Sequence, residues 1–284
     1  MAEPQHDPGY QPWFSRGRAE VKRSFWPNFF SRIVARLQWN ESAIDLAPDA
    51  RAWPELPDDR RARLTTLLCS FCVAEQAVAE QLLPYGNAAK ATSMASEESL
   101  IAWVFFLQRR DEARHARLFD RFAAEVLRLP GDDAAQRRAA AREHVPAGVL
   151  ELFEERLPAM AGELAAGRAG LADGVGLYHM LLEGVVFDAG QHAILDEVAD
   201  EDLPGIREGV QRVERDERWH IGFGLRCLIE AKPPHEFLDD LLERAEKAAA
   251  AWGDAVPAAT RERAVLMCTR RLSVAWHEEM RAVA

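Results

Sequence analysis

The chain has 284 residues, of which 48% are hydrophobic, enough to bury the core of one large domain or two small ones. Its 35 Lys+Arg against 46 Asp+Glu leave a net charge of −11, which argues against a general nucleic-acid surface or an anionic membrane as partner. The N-terminal segment lacks the apolar stretch of a secretory leader, and no run reaches the roughly 18 uninterrupted apolar residues of a membrane span, so the expectation is a cytoplasmic protein with no integral membrane segment.

In chain order, residues 1–50 form an N-terminal segment expected to be mostly irregular, with one short helix at "FSRIVARLQ". The aromatics of "SFWPNFF" and "LQWN" point to docking onto the bundle or a partner rather than a free tail. Residues 51–284 read as a helical domain, rich in Ala, Leu, Arg and Glu. A first long helix opens at "LPDDRR", where Pro57 and the Asp58/Asp59 pair suit a first turn, and ends near "LLPYGN". Within it, Cys69 and Cys72 of "CSFC" sit in an apolar helical pattern, and with only Cys227 and Cys268 besides, a buried structural role is expected over a redox or zinc one. A second long helix opens at "SEESL", with Ser96 as N-cap, and runs through "DEARH" to "LPGDD". Residues 133–166, interrupted by Pro146 and Pro158, read as shorter connecting helices. A third long helix spans "AGRAGLADGVGLYHMLLEGVVFDAGQHAILDEVAD" and closes at "EDLPG"; a fourth covers about 205–231 and stops at "KPP". Segments 234–250 and 256–282 are amphipathic and pack around the rest. The fold class is all-α.

The chemistry lies in two Glu-x-x-His patterns, Glu112/His115 in "DEARH" and Glu217/His220 in "DERWH". Residues three apart on a helix share a face, so each pair directs one oxygen and one nitrogen toward a common point. A lone pattern is weak evidence, and "EPQH" at 3–6 belongs to a Pro-containing terminus. Taken singly, His115 and His220 read better as core histidines satisfied by their own glutamates than as ligands. Two glutamates change the balance: Glu75 in "LLCSFCVAEQAV" and Glu183 in "LYHMLLEGVVF" have apolar neighbours on both sides. A carboxylate so placed is costly unless paired or metal-bound. Glu80 competes with Glu75 but lies near the helix end beside Gln81, where a solvated position is expected. One Glu on each of two helices, with Glu-x-x-His on each of two others, is the ligand set of dimetal four-helix bundles. Four carboxylates and two imidazoles favour iron or manganese over thiolate-seeking metals. Asp111 and Asp216 read either as surface acids or as acceptors for the second N–H of a ligand histidine, with Asp216 the stronger candidate. His144, His179, His192, His235 and His277 lack convincing ligand partners and read as structural or exposed.

"EQAVAEQLLPY", "DEARHARLF", "YHMLLEG" and "RDERWHIGFG", with weaker agreement at "WNESAIDLAPDARAWPELPDD", resemble the ligand-binding oxidases related to the small subunit of class I ribonucleotide reductase, over about residues 39–225. The resemblance implies a ferritin-like four-helix bundle with additional packing helices. It implies a dinuclear centre, Mn/Fe favoured and Fe/Fe the alternative, with Glu75, Glu112 and His115 at the manganese site, Glu183, Glu217 and His220 at the iron site, and Glu112 bridging. The reductase's radical tyrosine falls on Phe119, and no tyrosine follows Tyr178 to serve its C-terminal radical path. The oxidases instead join a valine and a tyrosine in an ether cross-link, at the positions of Val78 and Tyr178 here. A further family tyrosine falls on Gln191, which puts a second redox-tuning phenol in doubt. The resemblance further implies two-electron C–H oxidation by dioxygen, a bound long-chain fatty acid and a homodimer. Trp103, Phe105, Phe106, Val185, Val186 and Phe187 line such a ligand channel or belong to ordinary core. The competing readings are a reductase small subunit lacking the radical tyrosine, another diiron oxygenase such as an amine N-oxygenase, and a non-catalytic metal store.

Overall fold

A computed structural model describes residues 18–90, 98–198 and 202–283, and every regular element among them is helical. Chain order gives α1 (Arg18–Arg36), α2 (Ala47–Ala52), α3 (Asp58–Gln81), α4 (Leu83–Lys90) and α5 (Glu98–Arg121). Connecting helices α6 (Ala134–Arg142), α7 (Ala147–Leu150), α8 (Leu157–Ala165) and α9 (Leu171–Val175) follow, then α10 (Asp188–Glu197), α11 (Pro204–Ala231), α12 (His235–Ala250) and α13 (Ala258–Val283). Ser96, Tyr10 and "EPQH" lie outside the described residues, as does the side chain of His277. Among the described residues no helix is long and apolar enough to cross a membrane.

The four long helical segments expected from sequence carry the core. α3 is buried almost all round between Leu64 and Glu75, because α5, α10 and the connecting helices cover it on every side. Cys69 and Cys72 fall in this buried stretch as free thiols, and burial pushes each up to about 12, which suits packing and disfavours redox or metal chemistry. α11 ends where Lys232 turns left-handed (φ 48°) before Pro233, since a residue preceding proline is disfavoured in the helical region.

Three features depart from the sequence expectation. Among the described residues of the N-terminal segment, α1 is longer than the short helix expected, running 19 residues with Pro27 inside it. Trp26, Phe30 and Val34 recur every fourth residue and pack into the common core, with Phe30 against Trp219 and Phe223 of α11. Docking that stripe outweighs the cost of the proline. Pro158 does not interrupt its helix either. A π-helical stretch, Glu151–Arg156, precedes it and joins α7 to α8, and the wider turn relieves the clash between a proline ring and the preceding carbonyls.

The third departure positions the site. Between α9 and α10 the chain is π-helical over Gly176–Phe187, and all twelve residues are buried. A π turn leaves carbonyls poorly served by the helix itself. The turn after α12 and the helix α13 meet them: Trp252 Nε1 donates to Val186 O (2.9 Å), Arg271 Nη1 to Gly184 O (2.9 Å), and Cys268 Sγ to Met180 O (3.5 Å). The last two long segments of the chain therefore buttress the helix that carries Glu183.

Candidate metal centre

Glu75 of α3, Glu112 and His115 of α5, Glu183 of the π-helical segment, and Glu217 and His220 of α11 converge in the bundle interior, all buried. They form two overlapping groups, Glu75–Glu112–His115–Glu217 and Glu112–Glu183–Glu217–His220, each with its ligand atoms within 4.8 Å of one another. Both histidines face inward through Nδ1. His115 Nδ1 lies 3.2 Å from Glu112, 3.5 Å from Glu217 and 3.6 Å from Glu75. His220 Nδ1 lies 3.0 Å from Glu112 and 3.3 Å from both Glu183 and Glu217. Glu112 and Glu217 each belong to both groups, so the geometry offers two bridging carboxylates where the resemblance implied one.

The electrostatics follow from burial and crowding. Burial pushes Glu75 up to about 8, although His115 draws it down. Glu183 is held well above its ordinary value by burial and by the charge of Glu217. Glu112 is buried equally, but it lies between the two histidines, whose charges and hydrogen bonds outweigh desolvation and hold it well below the usual carboxylate range. Both Glu75 oxygens, Glu112 Oε2, Glu183 Oε2, Glu217 Oε1 and His115 Nδ1 are buried with no hydrogen-bond partner. Orphaned atoms of this kind are rare in protein interiors and costly. Two hard divalent cations would satisfy them together, so the donor set fits a dinuclear iron or manganese centre.

Outside these donors the histidines are oriented by exchange. His115 Nε2 lies 3.3 Å from Asp216 Oδ2, and His220 Nε2 faces Asp111 Oδ2 at 3.9 Å. Asp216 thus bonds the histidine of the other helix, and Asp111 places its charge near the other without a hydrogen bond. Buried Arg114 joins them, 2.7 Å from Asp111 and 2.8 Å from Asp216, and donates to Gln38 Oε1 at 3.2 Å. Half-buried Trp39 donates through Nε1 to Asp216 Oδ2 (2.6 Å), with the Arg114 guanidinium 4.9 Å from its ring centroid.

On the inner side, the Tyr178 hydroxyl donates to Glu112 Oε1 (2.6 Å), which brings this residue to the centre. Val78 is buried on α3, three residues beyond Glu75 and so on the same side of the helix. Gln108, one turn before Glu112, and His179 complete a buried polar group around Tyr178. Sequence reasoning passed over Gln108 and set His179 aside. The available signal was Gln108's place four residues before a ligand, on the same helix face.

The expected channel lining is corrected in part. Trp103 and Phe106 are each 48% exposed and stack on the outer face of α5 (5.2 Å between centroids), so they line no interior channel. Phe105, Val185, Val186 and Phe187 are buried in the main core. Phe119 lies in that core against Phe71 (5.0 Å), and Gln191 is buried with its Nε2 unpartnered.

No family model matches the chain. Its structure is similar to those of R2-like ligand-binding oxidase variants. One, with an anaerobically reconstituted Mn/Fe cofactor, superposes with a TM-score of 0.71 at 17% identity, covering 90% of this chain and 93% of that one. A second anaerobically reconstituted Mn/Fe variant gives 0.70 at 16% identity over 96% and 98%. A third, aerobically reconstituted with Mn/Fe, gives 0.69 at 17% over 90% and 93%. At this identity the likeness shows the fold, an all-α ferritin-like bundle of the ribonucleotide reductase small-subunit type.

Proposed function

We propose that the chain is a dimetal-carboxylate oxidase whose ligands are Glu75, Glu112, His115, Glu183, Glu217 and His220. The observation that carries the proposal is the convergence of six buried donors, several without any partner, into two groups sharing Glu112 and Glu217. The hard oxygen donors favour Mn/Fe or Fe/Fe, and the solved structures of similar fold carry Mn/Fe. When bound, such a pair supplies two-electron reduction of dioxygen and oxidation of a nearby C–H bond.

The residues around the pair have distinct tasks. Asp216 accepts from the outer nitrogen of His115 and holds that ring with Nδ1 inward, while Asp111 sets its charge 3.9 Å from the outer nitrogen of His220. Tyr178 keeps its proton on a bond to Glu112. Burial and the neighbouring carboxylates raise the phenol well above its ordinary value, so it stays protonated until a reaction removes the proton. Val78 and Tyr178 are the proposed cross-link partners: a new C–O bond replaces a Val78 C–H bond and the Tyr178 O–H bond, and dioxygen takes up the two electrons and two protons released. A bound long-chain fatty acid and a cytoplasmic homodimer belong to the same reading, the first supported by the ligand-binding character of the similar structures.

One observation favours a second reading, a reductase-like small subunit. Trp39, Asp216 and His115 form a continuous hydrogen-bonded path from a half-buried ring to the centre, suited to electron delivery. Phe119 in the tyrosine position weighs against it.

The test loads the full chain anaerobically with Mn(II) and Fe(II), measures metal content, and compares peptide masses before and after oxygen. A two-hydrogen loss joining the Val78 and Tyr178 peptides is the expected result. Metal binding and oxygen uptake without it would replace the cross-link by oxidation of an external substrate, and failure to bind metal would sink the dimetal assignment.

A further inference from the structure

We infer that His179 and Gln108 are positioning residues that fix the direction in which the Tyr178 hydroxyl donates. All three side chains are fully buried. His179 Nε2 lies 3.1 Å from Gln108 Oε1, while Gln108 Nε2 lies 3.0 Å from Glu183 Oε1, 3.1 Å from the Tyr178 oxygen and 3.4 Å from Glu112 Oε1.

The amide orientation follows from these neighbours. Turned over, Gln108 would press its oxygen against two carboxylates and leave its NH₂ group facing an imidazole. As placed, the amide oxygen accepts from His179 and faces away from the carboxylates, and both amide hydrogens have acceptors. His179 Nε2 must then carry a proton. Its Nδ1 has no partner, so the neutral ring protonated at Nε2 leaves no buried N–H unsatisfied. Burial, with the charge of His220, holds His179 well below its ordinary value, in agreement with a neutral ring.

Direction then passes along the chain of bonds. The Tyr178 oxygen accepts from Gln108, so its own proton goes to Glu112, 2.6 Å away. When that proton leaves, the phenol oxygen still holds an amide donor. Without the His179 donor the amide oxygen loses its partner and only the carboxylates Glu183 and Glu112 still orient Gln108, so the amide turns more readily and Tyr178 then shares its hydrogen bond between Glu112 and the amide oxygen. The fold reserves space for this arrangement: a Cβ on Gly224 of α11 would fall on top of His179 Cβ and Cγ. The rings of Tyr178, Phe105 and Phe223 meet the imidazole edge-on at 4.5, 5.7 and 6.0 Å.

The consequence for the oxidation rests on the function proposed above, but the hydrogen-bond direction is a property of the chain itself. Magnetic resonance of the full chain with isotope-labelled histidine, metal-free and loaded with diamagnetic Zn(II), reads the His179 tautomer; fluorotyrosine labelling reads Tyr178, one of only three tyrosines. The expected results are a proton on Nε2, a shifted or doubled Tyr178 resonance in His179→Phe, and recovery of the single resonance in His179→Gln, which restores a donor. A bare Nε2 in the unsubstituted chain, or an unmoved Tyr178 resonance in folded His179→Phe, overturns the inference. Should His179→Phe fail to fold, the tautomer of the unsubstituted chain decides alone. Failure of the chain to take up Zn(II), Mn(II) or Fe(II) would remove the dimetal reading and leave the tautomer result standing.

Discussion

Asp216 holds the histidine of the opposite helix: its Oδ2 lies 3.3 Å from His115 Nε2, while His220, four residues further along α11, turns toward Asp111 of α5. This exchange accounts for an aspartate directly before each Glu-x-x-His. Each motif supplies ligands on one side and sets an aspartate toward its partner's histidine on the other, hydrogen-bonded for Asp216 and His115, so the two helices are registered by the centre they build.

Substituting Asp216→Asn should therefore act through His115. The amide keeps the shape and still accepts from Trp39, but it loses the charge that Arg114 and His115 face. Metal affinity is expected to fall about 10–100-fold, the usual cost of losing a partner that orients a ligand histidine. Competition with a chromophoric chelator measures it, and unchanged affinity would show that packing alone orients His115.

The metal-free chain should lose stability as pH rises from about 6.5 to 8. Glu75, pushed up to about 8, and Glu183, held above its ordinary range, bind protons in the fold that the unfolded chain has released. His115 and His220, also raised, carry stability present below the ordinary histidine value and lost as pH climbs through their folded values. Glu112 and Asp216 are lowered, so their contribution changes only in acid; lowered His179 acts below the ordinary histidine value. With metal bound the sign should reverse, because the ligands must be deprotonated to bind. Thermal melts of both forms across this range test the pair of slopes, and parallel slopes would argue that the six donors do not bind metal.

How much of this was legible in the sequence depended on how local each signal was. The six donors stood out because three-residue spacing and apolar flanks are local patterns. Trp103 and Phe106 were also within reach: they share a helix face with Arg110, at spacings of three and four, and that face is solvent-exposed. Gln108 could be placed on the ligand face by its spacing from Glu112, but its task and that of His179 were not legible, since their value lies in each other and in Tyr178, some 70 residues apart. Nor was the extent of α1, which depends on docking against α11 across nearly 190 residues.

Asp49 illustrates a long-range dependence with a measurable cost. Its buried carboxylate accepts from the N–H groups of Gly205 (2.9 Å) and Ile206 (2.7 Å), capping α11 from α2. The backbones come so close that a Cβ at Gly205 would lie 2.5 Å from the Asp45 carbonyl oxygen. Asp49→Ala leaves two N–H groups of a helix start without their acceptor, and a loss of about 1–3 kcal/mol is expected in urea unfolding. Asp49→Asn keeps one acceptor and should lose less. Equal losses would mean that the carboxylate's packing matters and its hydrogen bonds do not.

Trp252 tests whether the outer helices tune the centre through the π-helical segment. Its indole packs against Phe71 (6.1 Å) and donates to the carbonyl of Val186, three residues beyond Glu183. Trp252→Phe keeps an aromatic ring but leaves that carbonyl buried and unpaired, at a cost of about 1–3 kcal/mol before any void is counted. The harm should not be evenly spread. Glu183 belongs to the group with His220, whereas Glu75 and His115 are held by α3 and α5 and do not depend on the π segment. Metal titration of Trp252→Phe is therefore expected to show one site close to its original affinity and one weakened, with Glu183→Ala as the reference for losing the second. Equal weakening of both sites would show that the substitution loosens the whole bundle, and no weakening would show that the Trp252 bond stabilises the π-helix without positioning Glu183.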